Sequence, residues 1–183
     1  MKAKLAPEYS DPKELLELWK SYRKEILECI QITPDSEFTT TPKLGGWSIS
    51  EIAEHLYLTQ RTIALGIKGV LSGKFGFDCD SQPNLSYREI RASLSKPRGV
   101  KNPDSLTPLS KYSKLEAIEK LNKSEELLEK VVAGFKKEDL VKRGMTHMIF
   151  GDLNLFNFIW TMPLHENYHL YAMKQKTKDY IKK

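Results

Sequence analysis

The 183-residue chain predicts an all-α fold, a four-helix bundle with one long crossover between its second and third helices. Three observations carry this expectation. Four segments repeat apolar residues at helical spacing. Strand-like alternation is weak throughout the chain. Between the second and third segments, residues 72–112 hold Pro83, Pro97, Pro103 and Pro108. A connection of that length would let the two flanking helices run parallel, because it must travel the length of the bundle.

The first helix is expected over 11–31, with Asp11 as N-cap and Pro12 at the first helical position. Its stripe is Leu15, Trp19, Tyr22, Ile26 and Cys29 or Ile30. The second is expected over 48–71, where Ser48 and Glu51 spell a capping box. Its stripe runs through Ile52, Leu56, Thr59, Ile63, Ile67 and Val70. Within the crossover, "LSYREIRASL" has the pattern of a short amphipathic helix. The third helix is expected over 113–134, with Leu115, Ile118, Leu121, Leu128, Val131 and Val132 among Glu and Lys. The fourth is expected over 154–177, beginning near Asn154.

Length and composition favour one domain over 1–183, with 40% hydrophobic and 29% charged residues, as in water-soluble proteins. The net charge of +5 raises the question of nucleic acid. The basic residues alternate with Glu, however. The clusters "RASLSKPRGVK" and "KQKTKDYIKK" lack the interleaved aromatics of a single-strand binder, so no nucleic-acid partner is expected. The most apolar run, "LNLFNFIWTMPL", is too short to cross a bilayer, and the N-terminus carries no apolar signal segment, so no membrane partner is expected. Cys29 and Cys79 form neither a disulfide framework nor a CxxC, which fits reduced thiols and a cytoplasmic location.

Residues 165–169, "HENYH", read as H-E-x-x-H, a zinc-protease spelling when it lies on a helix. The protease reading requires a third ligand downstream. The extended pattern needs Gly at 172 and His at 175, where this chain has Ala172 and Gln175, and no Glu follows His169. The protease reading therefore fails. The pair itself still demands an account. At 100° per residue, His165 and His169 share a stripe with Phe158, Met162 and Met173, so both imidazoles should point into the bundle. Buried imidazoles need partners. His55, in "GWSISEIAEHL", lies on the flank of the second helix's apolar face and could meet them across the core. Bundle interiors build metal sites from facing helices in this way.

The segments "GWSISEIAEHL" and "THMIFGDLNLFNFIWTMPLHENYHLYAMKQ" resemble the DinB-like superfamily and its YfiT-type members. The first matches W-S-x-x-E-x-x-x-H-L. The second matches G-x-L followed by H-x-x-x-H. The resemblance spans essentially the whole chain. It implies a four-helix bundle holding a divalent metal, often nickel or zinc, on three histidines. It also implies a homodimer and, in some members, a transferase or isomerase using a low-molecular-weight thiol. Carried over by position, the metal ligands are His55, His165 and His169. Two departures stand out: His147-Met148 replaces the His-Pro of many relatives, and Pro163 lies inside the fourth helix two residues before His165. A proline there removes the bond to the Ile159 carbonyl and favours a kink.

Glu166 has three open roles: base for a metal-bound water, acceptor orienting a histidine, or partner of a buried cation. His147 is expected in a loop before the fourth helix, as a cap or surface histidine or as a fourth ligand. Trp47 and Trp160 are expected as core anchors. Asp78 and Asp80 beside Cys79 would raise its thiol pKa, and Met162, Met173 and Phe158 should wall an apolar cavity beside the metal. Two functions follow. One is a metal-dependent transferase or hydrolase acting on a small molecule, with any attacking sulfur supplied by an added thiol. The other is a non-catalytic metal-binding or stress-response module.

Overall fold

The computed structural model describes residues 11–42, 45–79, 85, 87–94, 102–109 and 111–181. The N-terminal ten residues, Asp80, Pro83, Pro97 and most of the basic cluster before Asn102 lie outside them. Four long helices dominate: α1 (Pro12–Ile32), α3 (Ile49–Leu71), α5 (Lys114–Val132) and α7 (Leu155–Ile181). Short helices α2 (Asp35–Phe38), α4 (Tyr87–Leu94) and α6 (Lys137–Leu140) connect them. The chain is thus mostly helical, and its bundle agrees with expectation to within a few residues at each end.

The helix starts follow their caps. Asp11 accepts from the Lys13 N–H at 2.8 Å. Ser48 and Glu51 form the reciprocal pair of a capping box, and Ser113 with Glu116 does the same for α5. Side-chain contacts give the helix directions. Ser50 donates to the Tyr112 carbonyl just before α5, while further along Ser124 donates to Gln60. Contacts between α3 and α5 advance together, so the two helices run parallel, as the long crossover requires. The same holds for α1 and α7, where Trp19 meets Glu166 and Glu25 meets Lys174. Across these pairs the direction reverses: Arg23 reaches Leu121, but Gln31, later in α1, meets Lys114 at the start of α5.

Two buried apolar clusters occupy the two ends of the bundle. One gathers Leu15, Trp19, Ile67, Leu128, Phe156 and their neighbours, and the other Ile26, Ile52, Leu56, Leu121, Leu170 and Met173. A polar layer links all four helices. Arg23, 1% exposed, donates from Nε to Glu166 Oε1 at 2.6 Å, from Nη1 to the Leu121 carbonyl at 2.8 Å and from Nη2 to Gln60 Oε1. Glu166, 0% exposed, also accepts from Gln60 Nε2 at 2.5 Å and from the Trp19 indole at 3.2 Å. Ser124 completes the layer through Gln60 at 2.8 Å.

The structure departs from expectation in three places. A small antiparallel sheet, β1 (Phe77–Asp78), β2 (Arg143–His147) and β3 (Gly151–Asn154), lies against α3 and α7 in a chain expected to have no strands. Its strands have only two to five residues, too few for alternation to register as a sequence signal. His147 is therefore on a strand rather than in a loop, paired with Gly151, whose positive φ of 73° turns the hairpin. Leu115, expected on the core stripe of α5, is exposed, and Ala117 and Ser124 are buried instead.

Removing one member of a buried charge pair leaves the other without a partner. Arg23→Met should lower unfolding free energy by about 3–5 kcal/mol in urea titrations. The double variant Arg23→Met with Glu166→Leu should recover most of that loss.

Candidate metal centre

His55 lies two turns into α3, a position fixed by the Ser48 capping box at its start. His165 and His169 are one turn apart on α7, which passes through Pro163 without interruption. The proline cannot bond the Ile159 carbonyl, yet buried apolar neighbours on both sides hold the helix. His165 Nε2 lies 3.2 Å from His55 Nε2 and 3.2 Å from His169 Nε2. Donor atoms of all three residues fall within 4.8 Å of one another. The structure thus brings together the three histidines singled out in the sequence.

The tautomer of His55 follows from its neighbour. Its Nδ1 lies 2.8 Å from the Leu106 carbonyl, which can only accept, so Nδ1 carries the proton and Nε2 presents a lone pair to the centre. His165 Nε2 faces two other nitrogens but can donate at most one proton. At least one of these contacts then opposes two lone pairs or leaves one without a donor. A cation between them removes that conflict. Ligand bonds of about 2.0–2.1 Å would separate neighbouring nitrogens by about 2.9 Å in an octahedral and about 3.3 Å in a tetrahedral arrangement. The observed 3.2 Å edges fit that range, and imidazole donors suit zinc or nickel.

Burial keeps the imidazoles neutral, as ligation requires. Desolvation lowers the pKa of His55, partly offset by the Leu106 hydrogen bond. Desolvation, reinforced by neighbouring histidines, lowers His165 to about 3 and places His169 well below its ordinary value. Trp47 covers the outer side, its ring stacked on His169 at 6.1 Å and tilted against His55 at 4.7 Å. It is half-buried, packing against the core cluster of Ile52, Leu56 and Leu170 as well as on the histidine rings, and Trp160 is buried in the other cluster, so both tryptophans anchor the core as expected.

Beside the histidines lies a cavity of about 330 Å³, walled by α3, α7, the sheet and the Asp104–Leu106 turn, with His55 and His165 in its lining. Phe158 and Met162 wall it as expected, but Met173 does not: it is fully buried in the other core cluster, about three turns further along α7 than Met162. Of the three roles open to Glu166, pairing with a buried cation is the one observed, since both its oxygens are engaged by Arg23, Gln60 and Trp19. Cys79 packs behind Gly144 and is absent from the cavity lining, and its neighbour Asp78 pairs with Arg143 at 2.7 Å. Burial raises the pKa of Cys29, which lies in the core.

Sequence reasoning missed one contributor to the site and misplaced another, His147, expected as a cap, a surface histidine or a fourth ligand. Leu106, which orients His55 through its backbone, leaves no mark in the sequence because any residue supplies a carbonyl. His147 lines the cavity from β2, and desolvation lowers its pKa to about 4. Its only signal was its place just before the G-x-L segment.

Three imidazoles converging from two helices of a four-helix bundle define a class of bundle protein with a donor cluster able to hold a metal ion. Within that class the chain belongs to the DinB superfamily, whose pattern matches residues 15–173. Among solved structures it is similar to YfiT from Bacillus subtilis, described as a probable metal-dependent hydrolase with an unusual four-helix bundle topology. That likeness has a TM-score of 0.64 at 14% identity, over 98% of this chain and 93% of that one. It is also similar to TT2238, a four-helix bundle protein, with a TM-score of 0.56 at 20% identity over 88% of this chain and 96% of that one. At these identities the likeness establishes the fold. No curated protein matches the chain. Among the described residues, no helix is long and apolar enough to cross a membrane.

The depressed histidine pKa values make metal-free stability depend on pH. Below the ordinary value of 6.5 the unfolded chain takes up protons at His147, His165 and His169, while in the folded protein burial holds His147 neutral down to about 4, His165 down to about 3, and His169 well below its ordinary value. Stability is therefore full above 6.5 and falls towards pH 4, by up to about 1.4 kcal/mol per pH unit for each such group. Thermal unfolding of the metal-stripped protein at pH 7 and pH 5 should show a lower Tm at pH 5.

Proposed function

We propose that this protein is a metal-dependent enzyme acting on a small molecule, most specifically a transferase that joins an external low-molecular-weight thiol to an electrophile. The observation that carries this reading is the convergence of three imidazole nitrogens on the wall of a cavity large enough for a small organic molecule. His55, His165 and His169 would hold a divalent cation, with zinc or nickel suited to the donors. Such a cation supplies Lewis acidity, able to lower the pKa of a thiol or water near neutral pH.

The protein's own residues supply orientation and exclusion. The Leu106 carbonyl sets the face that His55 presents, and Trp47 screens the outer side of the donor cluster from water. Transfer from an external thiol is favoured over hydrolysis by two features. Glu166, which lies between His165 and His169 in sequence, is engaged by Arg23 and Gln60 and so has no free oxygen to act as a base towards water, and no carboxylate is among the described residues lining the cavity. Neither cysteine lines the cavity, so an attacking sulfur must come from outside. Two free cysteines also suit a reduced, cytoplasmic setting.

Metal content should be one ion per chain in the wild type and below that in His55→Ala. Model electrophiles assayed with several thiols should react with the metal-loaded protein, and the metal-stripped form and His169→Ala should be slower by about 100-fold or more. Turnover without any thiol would favour hydrolysis. Equal rates in all three forms would remove the enzyme and leave a metal-binding module.

A further inference from the structure

The cavity beside the histidines has a chemical character of its own. Among its described lining residues there is no Asp, Glu, Lys or Arg, and its surface is mostly apolar, with three methionines, Ile63, Phe150, Phe158 and Pro103 among the residues that form it. A charged group placed against this wall would lose water and gain no counter-charge from its side chains. Two of the polar groups in this lining, one on α3 and one on β2, matter most here. The hydroxyl of Thr59, one helical turn beyond His55, is buried and makes no hydrogen bond.

The second is His147. Its Nδ1 accepts the Ile149 N–H at 3.1 Å, so Nδ1 bears no proton. The ring is neutral at physiological pH, which leaves the proton on Nε2. Among the described residues no protein acceptor meets that Nε2–H, and the ring is held in place by Phe150 at 4.8 Å and Phe158 at 5.2 Å. A donor of fixed tautomer, on a rigid hairpin and lining an apolar cavity, is how a site orients a ligand that carries one polar atom. Unpaired donors in such a place cost stability when nothing accepts from them.

We propose that the cavity takes an uncharged, mainly apolar molecule bearing a hydrogen-bond acceptor such as a carbonyl, ester or epoxide oxygen, and that His147 Nε2–H, assisted by the Thr59 hydroxyl, binds that oxygen. The inference rests on the proposed site, since it names the class of electrophile brought beside the three histidines. His147 is then a specificity-determining residue rather than a fourth metal ligand, and it does not belong to the cluster of converging donor atoms.

The test measures Kd by ligand-observed NMR on the full chain, zinc-loaded and metal-stripped, with three probes. These are 4-phenylbutan-2-one, butylbenzene of similar size without an acceptor, and the same ketone carrying a ring sulfonate, a poor metal ligand. The ketone should bind about fivefold or more tighter than butylbenzene, as one net hydrogen bond allows. The sulfonate should bind about tenfold weaker than the ketone. His147→Leu should reduce ketone affinity to that of butylbenzene while leaving butylbenzene itself unchanged. His147→Gln, which keeps a donor near the same place, should restore most of the loss, and Thr59→Val should lie between. Tighter binding of the sulfonate, or ketone affinity unchanged in both His147→Leu and Thr59→Val, would overturn the proposal. Zinc content of every variant separates the two readings. A wild type that holds no zinc but keeps the probe order sinks the metal reading and spares this one. Full zinc with the probe order reversed does the opposite.

Discussion

The structure depends on one buried ion pair, Arg23 with Glu166. Both side chains are removed from water, and every polar atom that can be traced on them is met by another helix: Gln60 on α3, the Leu121 carbonyl on α5, Trp19 on α1. Desolvating two charges is costly, and a pair of apolar residues of similar volume would pack as stably or better. What the pair contributes is register. An apolar stripe tolerates small rotations and slides of a helix, whereas a bidentate polar layer with four helices in it accepts one arrangement.

That constraint positions the donor cluster. Glu166 follows His165 directly, so fixing the carboxylate towards Arg23 fixes the rotation of α7 at the same level. With Glu166 turned into the polar layer, His165 and His169 face α3 at the height of His55, and the three imidazoles converge. The carboxylate in the H-E-x-x-H spelling thus has a structural role in place of the one it has in a protease. Its neighbours explain why: in this chain the residue that it faces is a buried arginine rather than a water-filled cleft.

The small sheet gives the site its second half. Helices alone would leave the histidines in a groove between α3 and α7. The β2–β3 hairpin and the Asp104–Leu106 turn close one side, contributing Met145, His147 and the Leu106 carbonyl, and enclose a cavity with apolar walls. One connecting turn serves both first-order needs of the site, since it walls the cavity and sets the tautomer of His55. The long crossover is therefore a working part of the centre as well as a link between parallel helices.

Much of this was legible in the sequence. The four helices, their caps and the parallel pair follow from local physics: periodicity, side-chain capping and the reach of a long connection. The histidine cluster was legible because i,i+4 spacing on a helix is a rigid relation, and because His55 lies in a well-defined capped helix. The polar layer was also written there, though unread. Arg23, Gln60, Ser124 and Glu166 each occupy a position where the stripe calls for an apolar residue. Four polar intrusions at core positions signal a network, but the pattern of one helix cannot say which intrusion meets which. The strands were too short to show a period, and Leu115 was misplaced because a stripe can be drawn through either of two neighbouring faces. Sequence by itself determined the helices, their directions and the three histidines that converge. Tertiary structure decided the role of Glu166, the backbone partner of His55 and the place of His147, because each depends on contacts between segments far apart in the chain and, for Leu106, on a carbonyl that every residue carries.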